Sequence, residues 1–230
     1  MVRIVKHAVR SNPRAMYELA EELASLANAK QHRKECISLL KRSADQGEKR
    51  AQYALANWYI HGIGVPRNYV MAYSYLAKSA RQGHVLAMHD LAVSLERGKG
   101  INKSEREAAK WYRKAAQQGD RDAQAELARC LFHGIGVKRD FKMAIFWGRK
   151  AARRGDAGAQ YSLGTCYERG IGVRQNRRLA ILWYQKAAGQ GHKDAGIALG
   201  KLQNAHGDLA RNSRSGWPPA AQRRKPRTRY

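Results

Sequence analysis

The chain has 230 residues, 43 % of them apolar, enough to bury the core of one ordinary domain or a short repeat array. Its 44 Lys and Arg against 18 Asp and Glu give a formal charge of +26, which attracts nucleic acid, anionic membrane or acidic protein but does not report on the fold. No apolar run approaches the roughly 18–20 residues of a membrane span, the basic start Met1–Arg10 has no apolar stretch of a secretory signal, and three cysteines are too few for a disulfide framework, so the expected setting is reducing and cytoplasmic.

Residues 1–12 form a basic N-terminal segment. From 13 to 46, apolar residues at Leu19, Ala20 and Leu23, then Cys36, Leu39, Leu40 and Ala44, suggest two helices of a degenerate repeat unit. From Gly47 onward the repeat is explicit. Gly47, Gly83, Gly119, Gly155 and Gly191 are each 36 residues apart, as are Ala51, Ala87, Ala123, Ala159 and Ala195. Leu55, Leu91, Leu127, Leu163 and Leu199 form a third column. Ala72, Ala108, Ala144 and Ala180 form a fourth, and Tyr75, Trp111, Trp147 and Trp183 a fifth. The units are 47–82, 83–118, 119–154 and 155–190, followed by a capping helix over 191–205.

Each unit reads as two helices. Ala51, Leu55 and Tyr59 fall on one stripe of a first helix, which stops at the glycines of His61-Gly-Ile-Gly-Val65. Asn68, Ser104, Asp140 and Asn176 are suited to cap the second helix, since their side-chain oxygens accept the unpaired N–H groups of its first turn. Ser104 and Glu107 match a capping box. Lys78, Lys114, Lys150 and Lys186 fall in the last turns, where cations suit the helix dipole. A lone hairpin cannot bury its stripe, so the hairpins must stack. From His206 the repeat ends, and residues 206–230, which hold +6 of the charge, read as a disordered basic tail.

The text Asp156-Ala-Gly-Ala-Gln-Tyr-Ser-Leu-Gly-Thr-Cys-Tyr-Glu-Arg-Gly-Ile-Gly-Val173, followed by Ala180-Ile-Leu-Trp-Tyr-Gln-Lys-Ala-Ala188, resembles the Sel-one-like repeat, a relative of the tetratricopeptide repeat. The resemblance covers 47–205 well and 13–46 weakly. It implies an all-α fold, an α-solenoid wound as a right-handed superhelix, and a role as adaptor or scaffold. One branch of that family bridges two cysteines in each repeat. This chain lacks the pairing, so the secreted character of that branch does not carry over.

No catalytic set, cofactor motif or metal-ligand pattern is present. The Gly-Ile-Gly triplets at 62–64, 134–136 and 170–172 follow a helix rather than a strand and recur with the repeat, so they are structural and not phosphate-binding. Cys130 and Cys166 occupy equivalent places on neighbouring first helices, whose axes lie about 8–10 Å apart, too far for a disulfide. His61 and His133 are two repeats, roughly 20 Å, apart and share no metal. His84 and His192 read as surface variation. The periodic aromatics could stack on bases, but their register with the alanine columns favours core packing.

The resemblance also implies that first helices line a concave face. Their positions off the apolar stripe are Arg50, Tyr53, Asn57 and His61, then His89, Val93 and Arg97. Arg129, Phe132 and His133 follow, then Tyr161, Thr165, Arg169 and Lys201. These vary from unit to unit, and their mixture of aromatic, amide and Arg suits a peptide groove. The expected function is a monomeric, non-enzymatic adaptor holding a segment of another protein. The alternative is a nucleic-acid binder using the basic second helices and a tail cluster of Arg223, Arg224, Lys225, Arg227 and Arg229.

Overall fold

The computed structural model describes residues 12–25 and 29–215. They form eleven helices: α1 (Pro13–Ser25), α2 (Ala29–Asp45), α3 (Lys49–His61), α4 (Tyr69–Arg81), α5 (Val85–Arg97), α6 (Glu105–Gln117), α7 (Arg121–His133), α8 (Phe141–Arg153), α9 (Ala157–Arg169), α10 (Arg177–Gly189) and α11 (Lys193–Ser215). There is no strand among the described residues. Each helix packs on the next in the chain, giving five stacked hairpins and a final helix. The degenerate unit at 13–46 is therefore a hairpin like the others.

The columns explain the stacking. Ala51, Ala87, Ala123 and Ala195 are fully buried, and Leu55, Leu91, Leu127 and Leu163 almost so. Small residues bring helices close, and the leucines fill the space between hairpins. Glutamines form a further link that the columns do not announce. The buried Gln52, Gln124 and Gln160 donate Nε2 to the carbonyls of Ala44, Ala116 and Ala152 at 3.0, 3.2 and 3.0 Å. Gln82 and Gln190 then donate to Gln52 and Gln160 at 2.8 Å. Arg154 stands where those donors would be for Gln124 and bonds the Gly119 carbonyl instead. Gln124 Oε1 keeps no protein partner.

The helix ends follow the rules of the sequence. Asn68, Asp140 and Asn176 accept the N–H of Met71, Met143 and Leu179 at 3.0 Å, and Ser104 that of Glu107 at 3.4 Å. Only that half of the capping box is made: the Ser104 N–H donates to the Leu95 carbonyl at 2.8 Å, and the Glu107 carboxylate binds Lys110 Nζ at 2.6 Å. The Gly-x-Gly turns are packing devices. Gly136 has φ +65°, and a Cβ there would fall 2.1 Å from the Glu105 carbonyl oxygen, so only glycine lets the turn rest on the start of α6.

His84 and His192 are not surface variation. Their Nδ1 atoms accept the N–H of Ala87 and Ala195 at 3.2 and 3.4 Å, capping α5 and α11. Their rings stack on Tyr53 and Tyr161 at 4.6 and 4.7 Å. α11 continues ten residues past 205, into the stretch read as tail. Arg223, Arg224, Lys225, Arg227 and Arg229 lie outside the described residues. No described helix is long and apolar enough to cross a membrane.

Candidate partner groove on the first-helix face

The odd-numbered helices are the first helices of their hairpins, and all the nominated groove residues lie on them. Each of the 14 is at least partly exposed, with His61, Arg97, His133, Arg169 and Lys201 fully on the surface. They do not form one uniform site. At the N-terminal end, Arg50 lies over the Tyr17 ring at 4.8 Å and pairs with Glu48 at 3.3 Å. The Tyr53 hydroxyl donates to Asp90 at 3.1 Å, and His89 Nδ1 meets the same carboxylate at 3.0 Å. Asn57 and Val93 are half-buried.

Six of the nominated residues converge. Arg129, Phe132 and His133 of α7 and Tyr161, Thr165 and Arg169 of α9 line one groove of about 730 Å³. Its floor adds Ala128, Ala144, Ile145, Gly148 and Leu163, and Glu126, Asp156 and His192 also belong to the lining. The floor is apolar and the rim polar, the usual division of a peptide-sized site.

Charge in the groove is not what the overall balance suggests. Arg129 binds Glu96 of α5 and, at 2.7 Å, Glu126 of its own helix. Its guanidinium is thus already shared by two carboxylates and ties two repeats together. Burial works against the Glu96 charge, yet hydrogen bonds from Arg129 and Tyr112 hold its carboxyl below the usual range. Burial, then Glu96, pushes the Tyr112 hydroxyl well up. Arg169 differs: it is exposed, lines the groove and makes no ion pair among the described residues. Asp90, Glu96 and Glu126 escape a reading led by net charge. Gly148 and Ile145 escape one confined to first helices.

The periodic aromatics belong to the packing. Tyr75 and Trp147 are buried, and Trp111 and Trp183 are half-buried. In each case the lysine three residues on covers the ring: Lys78 at 5.3 Å, Lys114 at 4.2 Å, Lys150 at 4.8 Å and Lys186 at 4.7 Å. Those lysines thus supply cation–π contacts as well as favourable charge at a helix end. Faces covered in this way do not offer a stack of bases. Cys130 and Cys166 are free and buried, and burial pushes both thiols up to about 11.

The family model described as Sel1 repeat matches residues 13–48, 49–84, 85–120, 121–156 and 157–192. Among solved structures, the chain is similar to c5321, a protective antigen of uropathogenic Escherichia coli strains displaying an SLR fold. The identity is 32 %, the TM-score 0.80, and the match covers 85 % of this chain and 42 % of the antigen. The chain thus spans less than half of that relative's length. A Sel1 repeat protein from Oxalobacter formigenes is 33 % identical with a TM-score of 0.72, over 80 % of this chain and 74 % of that one. No curated protein matches the sequence.

Proposed function

Because the chain belongs to the Sel1 repeat family, whose members are generally protein-interaction scaffolds, we propose that it is a non-enzymatic adaptor that holds a segment of a partner protein on its first-helix face. The observation that carries this reading is the groove between α7 and α9, about 730 Å³ with an apolar floor and a polar rim. Its volume suits a few side chains of a peptide and not a folded domain. Rows of helix hairpins offer many such surfaces at little cost in stability, because each repeat needs only its neighbours to fold. The nucleic-acid alternative has no support in the family or the relatives.

The test is capture from a lysate of the source cells with the full chain and with a Tyr161→Ala variant as baits, each with and without nuclease. The adaptor reading expects a protein that survives nuclease on the wild-type bait and is lost from the variant. Proteins that disappear with nuclease would instead make the basic surface a phosphate-binding one.

A further inference from the structure

Position 148 breaks its column. The equivalent residues are Leu76, Tyr112 and Tyr184, all large and all buried to within about a hundredth of their surface. Gly148 lies inside α8 and is not among the glycines with positive φ. A Cβ there would meet only Ala128 Cβ at 3.8 Å and Leu163 Cδ2 at 3.9 Å, ordinary contact distances. Neither the backbone nor the packing requires glycine.

The sister repeats identify what is missing. The Tyr184 ring tilts against Tyr161 at 5.7 Å, and its hydroxyl donates to Glu168 at 2.6 Å and lies 3.1 Å from Thr165 Oγ1. It would also touch a Cβ on Gly164. One repeat earlier these four neighbours are Ala125, Phe132, Arg129 and Ala128. All four line the groove, together with Gly148. The groove therefore occupies the place of an absent aromatic ring. Ala125 deepens it, since the corresponding residues Tyr53, His89 and Tyr161 carry rings.

We propose that this vacancy is an anchor pocket for one large apolar side chain, phenylalanine, leucine or methionine, from a partner protein, with an acidic residue beside it in the partner's sequence. This rests on the adaptor reading of the same groove. The apolar tip follows from Phe132. Tyr112 and Tyr184 direct their hydroxyls to Glu96 and Glu168, and at the corresponding place this repeat has a phenyl ring. The carboxylates in the lining, Glu126 and Asp156, are already engaged by Arg129 and by the Ala159 N–H, so a tyrosine hydroxyl carried to the Phe132 end would lose water without the carboxylate that Tyr112 and Tyr184 have. The acidic neighbour follows from charge complementarity. The acids of the lining are engaged, Glu126 by Arg129 and Asp156 by the Ala159 N–H, and Arg129 is itself shared by Glu96 and Glu126, whereas Arg169 in the same lining makes no ion pair among the described residues.

The test uses a phage-displayed library of random twelve-residue peptides, panned on the full wild-type chain. Enriched peptides are expected to share one Phe, Leu or Met with Asp or Glu nearby. Each should bind at least about tenfold more weakly to Gly148→Leu and to Arg169→Glu, a tenfold change being the loss of one good contact. Leu76 shows that leucine is accommodated in this column. Changing the peptide's Phe to Tyr should weaken binding by a similar factor and needs no protein variant. Peptides that bind Gly148→Leu as well as wild type but are lost on Tyr161→Ala overturn the anchor pocket and leave the adaptor reading standing. Peptides insensitive to every first-helix variant, or no enrichment over matrix without bait, overturn both.

Discussion

Replacing Gly148 by alanine should make the protein more stable. In a helix interior alanine is favoured over glycine by about 1 kcal/mol, because glycine loses more backbone freedom on folding. The added methyl would lie 3.8 and 3.9 Å from its nearest neighbours, so no overpacking cost opposes the gain. Some apolar burial adds to it. A net gain of about 1 kcal/mol raises the melting temperature of an array this long by about 2–4 °C. Gly136→Ala provides the contrast. Its φ of +65° and the 2.1 Å approach of the Glu105 oxygen require both an unfavourable backbone and a displaced helix start. The left-handed backbone costs about 1–2 kcal/mol and the clash about 1–3 kcal/mol more. Circular dichroism at 222 nm, followed through thermal and urea denaturation of the full chain, reads both. If Gly148→Ala lowers the transition, glycine serves the packing there, and the vacancy is not a site held open at the expense of stability.

Further outcomes follow from individual side chains. His84 caps α5 through an unprotonated Nδ1, and burial together with Lys49 and Arg50 depresses its pKa against the opposing pull of Asp90 and Glu48. The unfolded chain therefore binds a proton first, so this cap's stability is present above about pH 6.5 and declines as pH falls below it. His84→Asn keeps a cap and should flatten the stability profile on that acid side, as denaturation midpoints between pH 5 and 7 would reveal. Burial lowers the His89 pKa, but Asp90 raises it more, so its contribution declines on the other side, as pH rises above about 6.5. Arg129→Ala frees Glu96 and Glu126, but the guanidinium is 37 % exposed, so the expected loss is at most about 1 kcal/mol by denaturant titration. With thiols near 11, Cys130 and Cys166 should resist an aromatic disulfide reagent at pH 8 and react fully once the chain is denatured. Fast labelling of the native protein would contradict their burial.

The repeat was legible because constant columns mean constant neighbours. Ala51, Leu55 and Ala72 recur because each meets the same surroundings in every hairpin, and 36-residue spacing suffices to find them. The groove is legible only in the exceptions. Gly148 stands out against Leu76, Tyr112 and Tyr184 once the column is aligned, but its meaning depends on Ala125, Ala128, Arg129 and Phe132, which only the fold brings to it. The acids Asp90, Glu96 and Glu126 are hidden by a net charge of +26, since a sum does not say which face carries which sign. The end of α11 is a different matter. The repeat pattern stops at 205, but helix formation needs no repeat, and the first proline after that point is Pro218.

Site-specific photo-crosslinking tests the central claim most directly. A benzoylphenylalanine at Ser162, exposed in the groove, is compared in the source cells with one at Arg153, exposed on α8. The account predicts a discrete crosslinked protein from position 162 that is lost when Gly148→Leu is added, and none from position 153. Equal crosslinking from both positions, or crosslinking from position 153 alone, would move the binding surface off the first-helix face and contradict it.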